Sequence, residues 1–212
     1  HPMDVLQAFV AALAGYYDEQ GTEKEISQQR AINLIAKVPT IISSWERVRN
    51  DKEPIQPDPE LSHASNFLYM LTGNKPDKEM ERVFDVCLIL HADHTFNAST
   101  FAAREVASTR AHMYSAVSAA VGALSGELHG GANYEVMKML LDIKDENNAT
   151  NWVKSRIEKG DRIMGMGHAV YKTVDPRSMV LKGLSKKLSD LFSVQTNIFS
   201  LIKSFFKIGI HC

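Results

Sequence analysis

The sequence is poor in the features that mark several common protein classes. It has only two cysteines, Cys87 and Cys212, among 212 residues. Two cysteines cannot build a disulfide framework, so we expect a reducing compartment, the cytoplasm. The formal net charge of −1 gives no general basicity for nucleic acid. No apolar run reaches the roughly 18 residues of a membrane span, and the start lacks a secretory signal. We therefore expect neither nucleic acid nor membrane as a partner.

Strand signals and internal repeats are missing as well. No segment alternates apolar and polar residues over the length of a strand. Apolar residues instead recur at helical spacing along most of the chain, which predicts an all-α fold. The predicted helices cover residues 5–13, 26–48, 62–72, 77–94, 100–124, 134–143, 152–159 and 176–191.

Three places in this helical pattern carry specific expectations. Pro39 should kink or break the second helix, because proline lacks the N–H of a helical hydrogen bond. Residues 145–151 are polar and predict a break before the helix at Trp152. Residues 100–124 predict one helix with a face that would allow another helix, including one from a second subunit, to approach closely. That face carries the small residues Ala103, Ala107, Ala111, Ser115, Ala119 and Gly122.

Histidines occur in three separate segments that could hold a ligand between them. His129 lies among Gly126, Gly130 and Gly131, whose backbone conformations let a ligand approach closely. His168 also follows a glycine, and both positions suit either a surface loop or a catalytic role. The segment that contains His94 continues with polar residues, which favours a site over a protein core.

A metal site near His94 is a competing hypothesis. Asp93 and His91 stand beside it, but a zinc-binding helix usually places its histidines four residues apart with a glutamate between them. We therefore expect no metal, and we favour a hydrogen-bonded core histidine at His91. Two cations complete the candidates: Arg177 suits a carboxylate and Lys172 suits a phosphate, although each also fits a solvated surface cation.

The three histidine segments together resemble the signature blocks of citrate synthases of the short bacterial and archaeal type, which includes 2-methylcitrate synthases. The blocks are residues 91–101, 128–133 and 167–177, in the order and spacing of the family. The likeness covers roughly residues 2–191. It implies an all-helical fold with a large and a small domain that close over oxaloacetate, and a homodimer.

The resemblance also implies a role for each candidate residue in the condensation of acetyl-CoA with oxaloacetate to citrate and CoA, a step of the tricarboxylic acid cycle. His129 would hydrogen-bond the acetyl-CoA carbonyl as it becomes an enol, and His168 would hydrogen-bond the oxaloacetate ketone. His94 and Arg177 would hold oxaloacetate, and Lys172 would meet a CoA phosphate. The backbone along the CoA nucleotide would come from Met164, Gly165, Met166 and Gly167. No permanently bound cofactor is implied, because acetyl-CoA is a co-substrate.

The sequence departs from the family pattern around and after this site. Glu127 and Tyr134 replace the usual proline and glutamate on either side of His129. The family's general base, an aspartate beyond the third block, has no counterpart, since Asp190 is the only carboxylate side chain after Arg177 and no arginine follows. We therefore expect an incomplete citrate synthase with impaired activity. The alternatives are a 2-methylcitrate synthase that uses propionyl-CoA and a non-catalytic helical binding protein or fragment.

The resemblance also implies how the chain is divided into domains. Residues 1–125 would belong to the large domain and would supply the dimer-forming helices. Residues 126–191 would belong to the small domain and carry active-site loops. Residues 192–212 form an apolar tail that does not resemble the family.

Overall fold

The structure is a computed structural model that describes residues 1–17, 20–93, 95–165 and 175–191, except for the side chains of residues 146, 186 and 188–191. Over those ranges the regular secondary structure is helical and no strand occurs, which confirms the all-α prediction. A short 3-10 turn, Leu13–Gly15, follows the first helix. The helices are α1 (Pro2–Ala12), α2 (Glu23–Val48), α3 (His63–Thr72), α4 (Lys78–His91), α5 (Ala98–Ser108), α6 (Met113–Leu124), α7 (Gly131–Ile143), α8 (Glu146–Glu158) and α9 (Pro176–Leu191).

Polar residues start these helices, as their sequences suggest. The Thr22 hydroxyl accepts the Glu25 N–H at 3.4 Å, and the Glu25 carboxylate accepts the Thr22 N–H at 2.9 Å, which makes a capping box at α2. The side chains of Asp77 and Asn97 cap α4 and α5, since they accept the Met80 and Thr100 N–H groups. Gly73 ends α3 with a φ of 88°, the left-handed conformation in which glycine has no Cβ penalty.

A kink or a break was predicted at Pro39. The break is wrong, because the 26-residue helix α2 continues through Pro39, and the kink stays a prediction. Proline removes one backbone hydrogen bond, but packing against α1, α3 and α6 holds the helix on both sides of the gap. Leu34 is buried before Pro39 and Ser43 after it, and the Ser43 hydroxyl donates to the Pro39 carbonyl at 2.8 Å.

The single helix predicted over residues 100–124 is also wrong, because α5 and α6 are separate helices that pack against each other. Arg110, between them, has a φ of 62°, which a helix cannot contain. His112 then caps α6, since its Nδ1 accepts the Ser115 N–H at 3.2 Å. Five of the six small residues therefore lie on two separate helices and Ala111 lies between them, so they form no face of a single helix. The homodimer stays a prediction.

The predicted polar break at residues 145–151 is wrong as well, because α8 begins at Glu146. The Asp145 carboxylate accepts the Asn147 N–H at 2.8 Å and caps the helix, which therefore starts at Glu146 and not at the predicted Trp152. Ala149 and Val153, one turn apart on α8, are both buried. This buried stripe stabilises the helix, although the sequence around it is mostly polar and does not suggest one.

Two compact units make up the described chain. The first is His1–His129, and its core contains Leu6, Val10, Leu34, Tyr114 and Val121. The second comprises the described residues from Gly130 onward, and its core contains Met139, Leu140, Ile143, Ala149 and Val153. The assignment of residues 1–125 and 126–191 to a large and a small domain stays a prediction, and the tail at 192–212 lies outside the described residues.

None of the helices in the described part of the chain combines the length and apolar character that crossing a lipid bilayer requires.

Candidate functional site

The structure describes four of the predicted site residues: His129, Arg177, Met164 and Gly165. The other five lie outside the described residues, and their roles stay predictions. They are His94, His168, Met166, Gly167 and Lys172.

His129 closes a tight turn that follows α6. The Gly126 N–H donates to the Ala123 carbonyl at 3.2 Å, and the His129 N–H donates to the Gly126 carbonyl at 3.0 Å. A Cβ on Gly126 would lie 3.3 Å from the Ala123 carbonyl oxygen, so a larger residue would crowd the turn. The imidazole of His129 is half-buried, whereas the neighbouring Leu128 is 90% exposed. The turn thus holds the histidine against the first unit.

Ser99 orients that imidazole. Its hydroxyl oxygen lies 2.6 Å from Nε2 of His129. Ser99 is the second residue of α5, whose start is fixed by the Asn97 cap. The hydroxyl can donate to a neutral Nε2 or accept from an Nε2–H, and either bond fixes the ring. Within the described ranges Nδ1 of His129 has no hydrogen-bond partner, so this nitrogen can meet a ligand.

Ser99 is a site residue that the sequence analysis missed. It lies in the first signature block, at residues 91–101, and in the polar run after His94. The available signal was the capping residue Asn97, which places Ser99 in the first turn of a helix. The sequence does not reveal that this turn faces a histidine 30 residues later.

Arg177 is oriented by Asp175 at the start of α9. The guanidinium donates from Nε to Asp175 Oδ1 at 3.1 Å and from Nη2 to Oδ2 at 2.7 Å. The two side chains are only 25% and 20% exposed. Arg177 is therefore held in a planar, two-point ion pair, unlike a solvated surface cation. Asp175 is the second residue that the sequence analysis missed.

His91 does not lie in the core, so that prediction is wrong. It is exposed at the end of α4, and its Nδ1 lies 2.7 Å from the Cys87 carbonyl oxygen. A local hydrogen bond at the last turn satisfies the ring without burial, because helix-end carbonyls need donors. No group of three metal-ligating side chains occurs among the residues described. His94 lies outside them, so the expectation of no metal stays a prediction.

The backbone at Gly165 approaches α7 closely. Gly165 has a φ of 80°, and a Cβ there would lie 3.0 Å from Cγ2 of Val136. Both features favour glycine, since a side chain would be strained and crowded. Ile163 packs on the core of the second unit and Met164 is half-buried, so the segment is fixed to its helices. Contact of Met164 and Gly165 with a CoA nucleotide stays a prediction.

Comparison with known protein families gives one match over nearly the whole chain. The family model described as "Citrate synthase, C-terminal domain" matches residues 1–211. The citrate synthase of Synechocystis sp. is 47% identical over 189 residues, which cover 89% of this chain and 48% of that protein. The citrate/2-methylcitrate synthase of Bacillus subtilis is 42% identical over 193 residues, covering 90% of this chain and 52% of that protein.

Solved structures give the same result. The crystal structure of citrate synthase from Pyrobaculum aerophilum matches with a TM-score of 0.81 and 36% identity, covering 99% of this chain and 62% of that chain. The ternary complex of citrate synthase from Thermoplasma acidophilum matches with a TM-score of 0.85 and 31% identity, covering 99% and 55%. The chain spans about half the length of the curated relatives it matches. By its sequence and its fold, this chain belongs to the citrate synthase family.

Proposed function

We propose that the chain carries part of a citrate synthase-type site, which condenses acetyl-CoA with oxaloacetate to give citrate and CoA. The observation that carries the proposal is the 2.6 Å contact between Ser99 and His129 at the glycine turn of a chain in this family. The reaction needs a hydrogen-bond donor at a fixed place, and this contact orients an imidazole.

His129 would act on the acetyl thioester. Removing a proton from the methyl group places negative charge on the carbonyl oxygen, and a pre-oriented donor stabilises that charge. If the Ser99 hydroxyl donates to Nε2, the ring proton lies on Nδ1, which can donate to the developing enol oxygen. Ser99 would thus select the tautomer as well as the orientation.

The oxaloacetate half of the site would use Arg177, with His94 and His168. A guanidinium matches a carboxylate with two parallel hydrogen bonds, so Arg177 would fix one end of the substrate. His168 would polarise the ketone that the enol attacks. Lys172 and residues 164–167 would hold CoA. In support, the related Thermoplasma acidophilum structure is a ternary complex with carboxymethyl-CoA and oxaloacetate.

The proposed cofactor use, pathway, location and oligomeric state are those that the resemblance to citrate synthases implies. Acetyl-CoA is a co-substrate, with no permanently bound cofactor and no metal. The reaction belongs to the tricarboxylic acid cycle and takes place in the cytoplasm, and the working unit is a homodimer. Neither nucleic acid nor a membrane takes part.

Isothermal titration calorimetry of the 212-residue chain tests this function. Oxaloacetate is titrated first, and carboxymethyl-CoA is then titrated into the oxaloacetate-loaded protein. The proposal expects oxaloacetate to bind and to strengthen the binding of carboxymethyl-CoA, because both ligands share one site. Binding of neither ligand by the folded chain would contradict it.

Propionyl-CoA is the second candidate acyl substrate. The 42% identity to a Bacillus subtilis protein named as both a citrate and a 2-methylcitrate synthase favours it. The two acyl groups differ by one methylene, which a pocket discriminates by about 10–200-fold. Titrating acetyl-CoA and propionyl-CoA into the oxaloacetate-loaded chain compares them directly. Tighter binding of propionyl-CoA would favour the 2-methylcitrate reaction.

A non-catalytic binding protein is a further alternative. It is favoured by the missing aspartate segment after Arg177, where Asp190 is the only carboxylate side chain. Oxaloacetate binding that leaves the affinity for carboxymethyl-CoA unchanged would support it.

A further inference from the structure

We infer that Asp175 is a positioning residue that orients Arg177 for the carboxylate of the substrate. The inference rests on the proposed function, because it takes Arg177 as a ligand of oxaloacetate. Asp175 itself would not touch the substrate. It would act through the guanidinium plane.

The contact between the two side chains has two points. Arg177 donates from Nε to Oδ1 at 3.1 Å and from Nη2 to Oδ2 at 2.7 Å, so the carboxylate lies along one side of the guanidinium plane. Two of the five guanidinium N–H groups take part in this pair. The pair therefore fixes the guanidinium plane relative to the start of α9.

Asp175 can act as a fixed support because the first turn of α9 holds it. Its Oδ1 accepts the Arg177 N–H at 2.9 Å. Its backbone carbonyl accepts the Ser178 N–H at 2.9 Å and the Ser178 hydroxyl at 2.7 Å. Pro176 stands between the two charged residues at the first helical position, where its ring fixes φ. Five short contacts within four residues thus define where the guanidinium points.

A second arginine–aspartate pair in the same unit gives a comparison. Arg156 and Asp161 meet at one contact, 2.9 Å between Nη1 and Oδ2, and their side chains are 43% and 42% exposed. Such a pair is largely solvated and contributes little. The Asp175–Arg177 pair has two contact points and about half that exposure. The difference favours a positioning role over an incidental surface contact.

The pair has two opposite effects on an incoming anion. Asp175 reduces the positive charge that the anion meets, which weakens attraction. It also fixes the guanidinium plane, which reduces the orientational freedom that binding must remove. Two parallel hydrogen bonds form only when the guanidinium plane is aligned with the substrate carboxylate. We therefore expect the gain in affinity from positioning to exceed the loss from reduced positive charge.

Substitution of Asp175 separates these effects. Asp175→Asn keeps the size and the helix cap but removes the ion pair. We expect its dissociation constant for oxaloacetate, measured by calorimetry on the full chain, to rise roughly tenfold. Asp145→Asn is a matched control for the cap, since Asp145 caps α8. Asp161→Asn is a matched control for the exposed pair, and both controls should bind oxaloacetate like the parent.

An NMR measurement gives an independent readout. The Arg177 Nε–H resonance is assigned as the one that disappears in Arg177→Lys. In the parent we expect it to exchange slowly with water, and in Asp175→Asn we expect it to shift and to exchange faster. The same Asp→Asn change at the cap of another helix, as in Asp145→Asn, should not move it. If Asp175→Asn does not fold, Asp175→Ser retains a capping oxygen and allows the same comparison.

The outcomes distinguish the inference from the proposed function. Weaker oxaloacetate binding together with a loosened Nε–H in Asp175→Asn supports positioning. Unchanged or tighter binding in Asp175→Asn, with binding lost in Arg177→Ala, overturns the inference alone. Unchanged binding in Arg177→Ala overturns the assignment of Arg177 in the proposed function, and the inference with it. An unchanged Nε–H in Asp175→Asn overturns positioning regardless of the binding results.

Discussion

Ser99 makes His129 an oriented histidine, whereas the glycine turn alone would leave it a loop histidine. The sequence predicted the turn, because three glycines surround the residue. It could not predict Ser99, since Asn97, Ser99 and Thr100 are equally polar and only the folded chain brings one of them within 2.6 Å of the ring. Asp175 was missed for a related reason, because its role depends on how a side chain folds back on its own helix.

Removing the Ser99 hydroxyl should weaken the site more than the fold. We expect Ser99→Ala to reduce the affinity for carboxymethyl-CoA, measured by calorimetry with oxaloacetate present, by roughly tenfold, because the imidazole loses its orientation. Ser99→Thr keeps a hydroxyl and should retain most of the affinity. Ser108→Ala removes a serine from the other end of α5 and should have no effect. Equal affinities in the parent and Ser99→Ala would contradict the role.

At the scale of elements, the sequence located most helices but was wrong about their continuity at three places, namely Pro39, Arg110 and residues 145–151. Both ends of α3 and the start of α4 lie within one residue of their predicted positions, because the caps that set them are local interactions. Pro39 did not break α2, since packing compensates for one missing hydrogen bond. The break near Arg110 was hidden, because positive φ at a residue other than glycine has no signature in composition. The buried stripe of α8 was hidden by its polar neighbours.

The glycine that ends α3 allows a test of how much a helix cap contributes to stability. Gly73→Ala should reduce the free energy of unfolding by about 1 kcal/mol, because alanine is strained in the left-handed conformation that Gly73 adopts at φ 88°. Gly15→Ala is the control, since a Cβ there meets nothing within 4 Å. Urea denaturation measures both. Equal stability in the two variants would show that the cap conformation is unimportant.

The capping box of α2 predicts a pH dependence. Hydrogen bonds from the Thr22 backbone and side chain lower the pKa of Glu25 below its ordinary value of 4.5. A lowered pKa in the folded state means that the ionised carboxylate stabilises the fold. This contribution is fully present above pH 4.5 and is lost as the pH falls through the lowered pKa of the folded state.

The measurement compares the unfolding free energies of the parent and Glu25→Gln at about pH 7 and about pH 3. We expect the variant to be less stable at the higher pH and the difference to shrink at the lower pH. Glu23→Gln removes a charge from the same helical turn and serves as the control. A difference that is constant with pH, or that grows as the pH falls, would contradict the capping role.

Thr22→Ala removes the other half of the capping box. It should reduce the free energy of unfolding at the higher pH by about 1 kcal/mol.

At the scale of the whole molecule, periodicity predicted helices but not which of them pack together. The core of the first unit joins segments distant in sequence, such as Val10 with Tyr114, whereas the core of the second unit comes from the consecutive helices α7 and α8. Order and spacing of the three histidine blocks gave the family, because three motifs in register are far more specific than one. Family membership, with a match over residues 1–211, is the part of the functional prediction that is confirmed.

The complete reaction needs a base that this sequence does not supply in the expected place. After Arg177 it contains no arginine and, apart from Asp190, no carboxylate side chain. We therefore expect the 212-residue chain alone to release little or no thiol from acetyl-CoA and oxaloacetate, since the methyl proton must be removed. Turnover at ordinary enzyme rates, on the order of 1–1,000 per second, would refute this expectation.

The most direct test of the central claim is the binding of carboxymethyl-CoA to the oxaloacetate-loaded chain, compared between the parent and His129→Ala. The ligand carries an anionic carboxylate one bond beyond the position of the thioester carbonyl, so a His129 donor aimed at the developing enol oxygen should also bind it. We predict a loss of affinity of roughly 100-fold in His129→Ala. His63→Ala, which removes an exposed histidine at the start of α3, should bind like the parent. Equal affinity in the parent and His129→Ala would contradict the account.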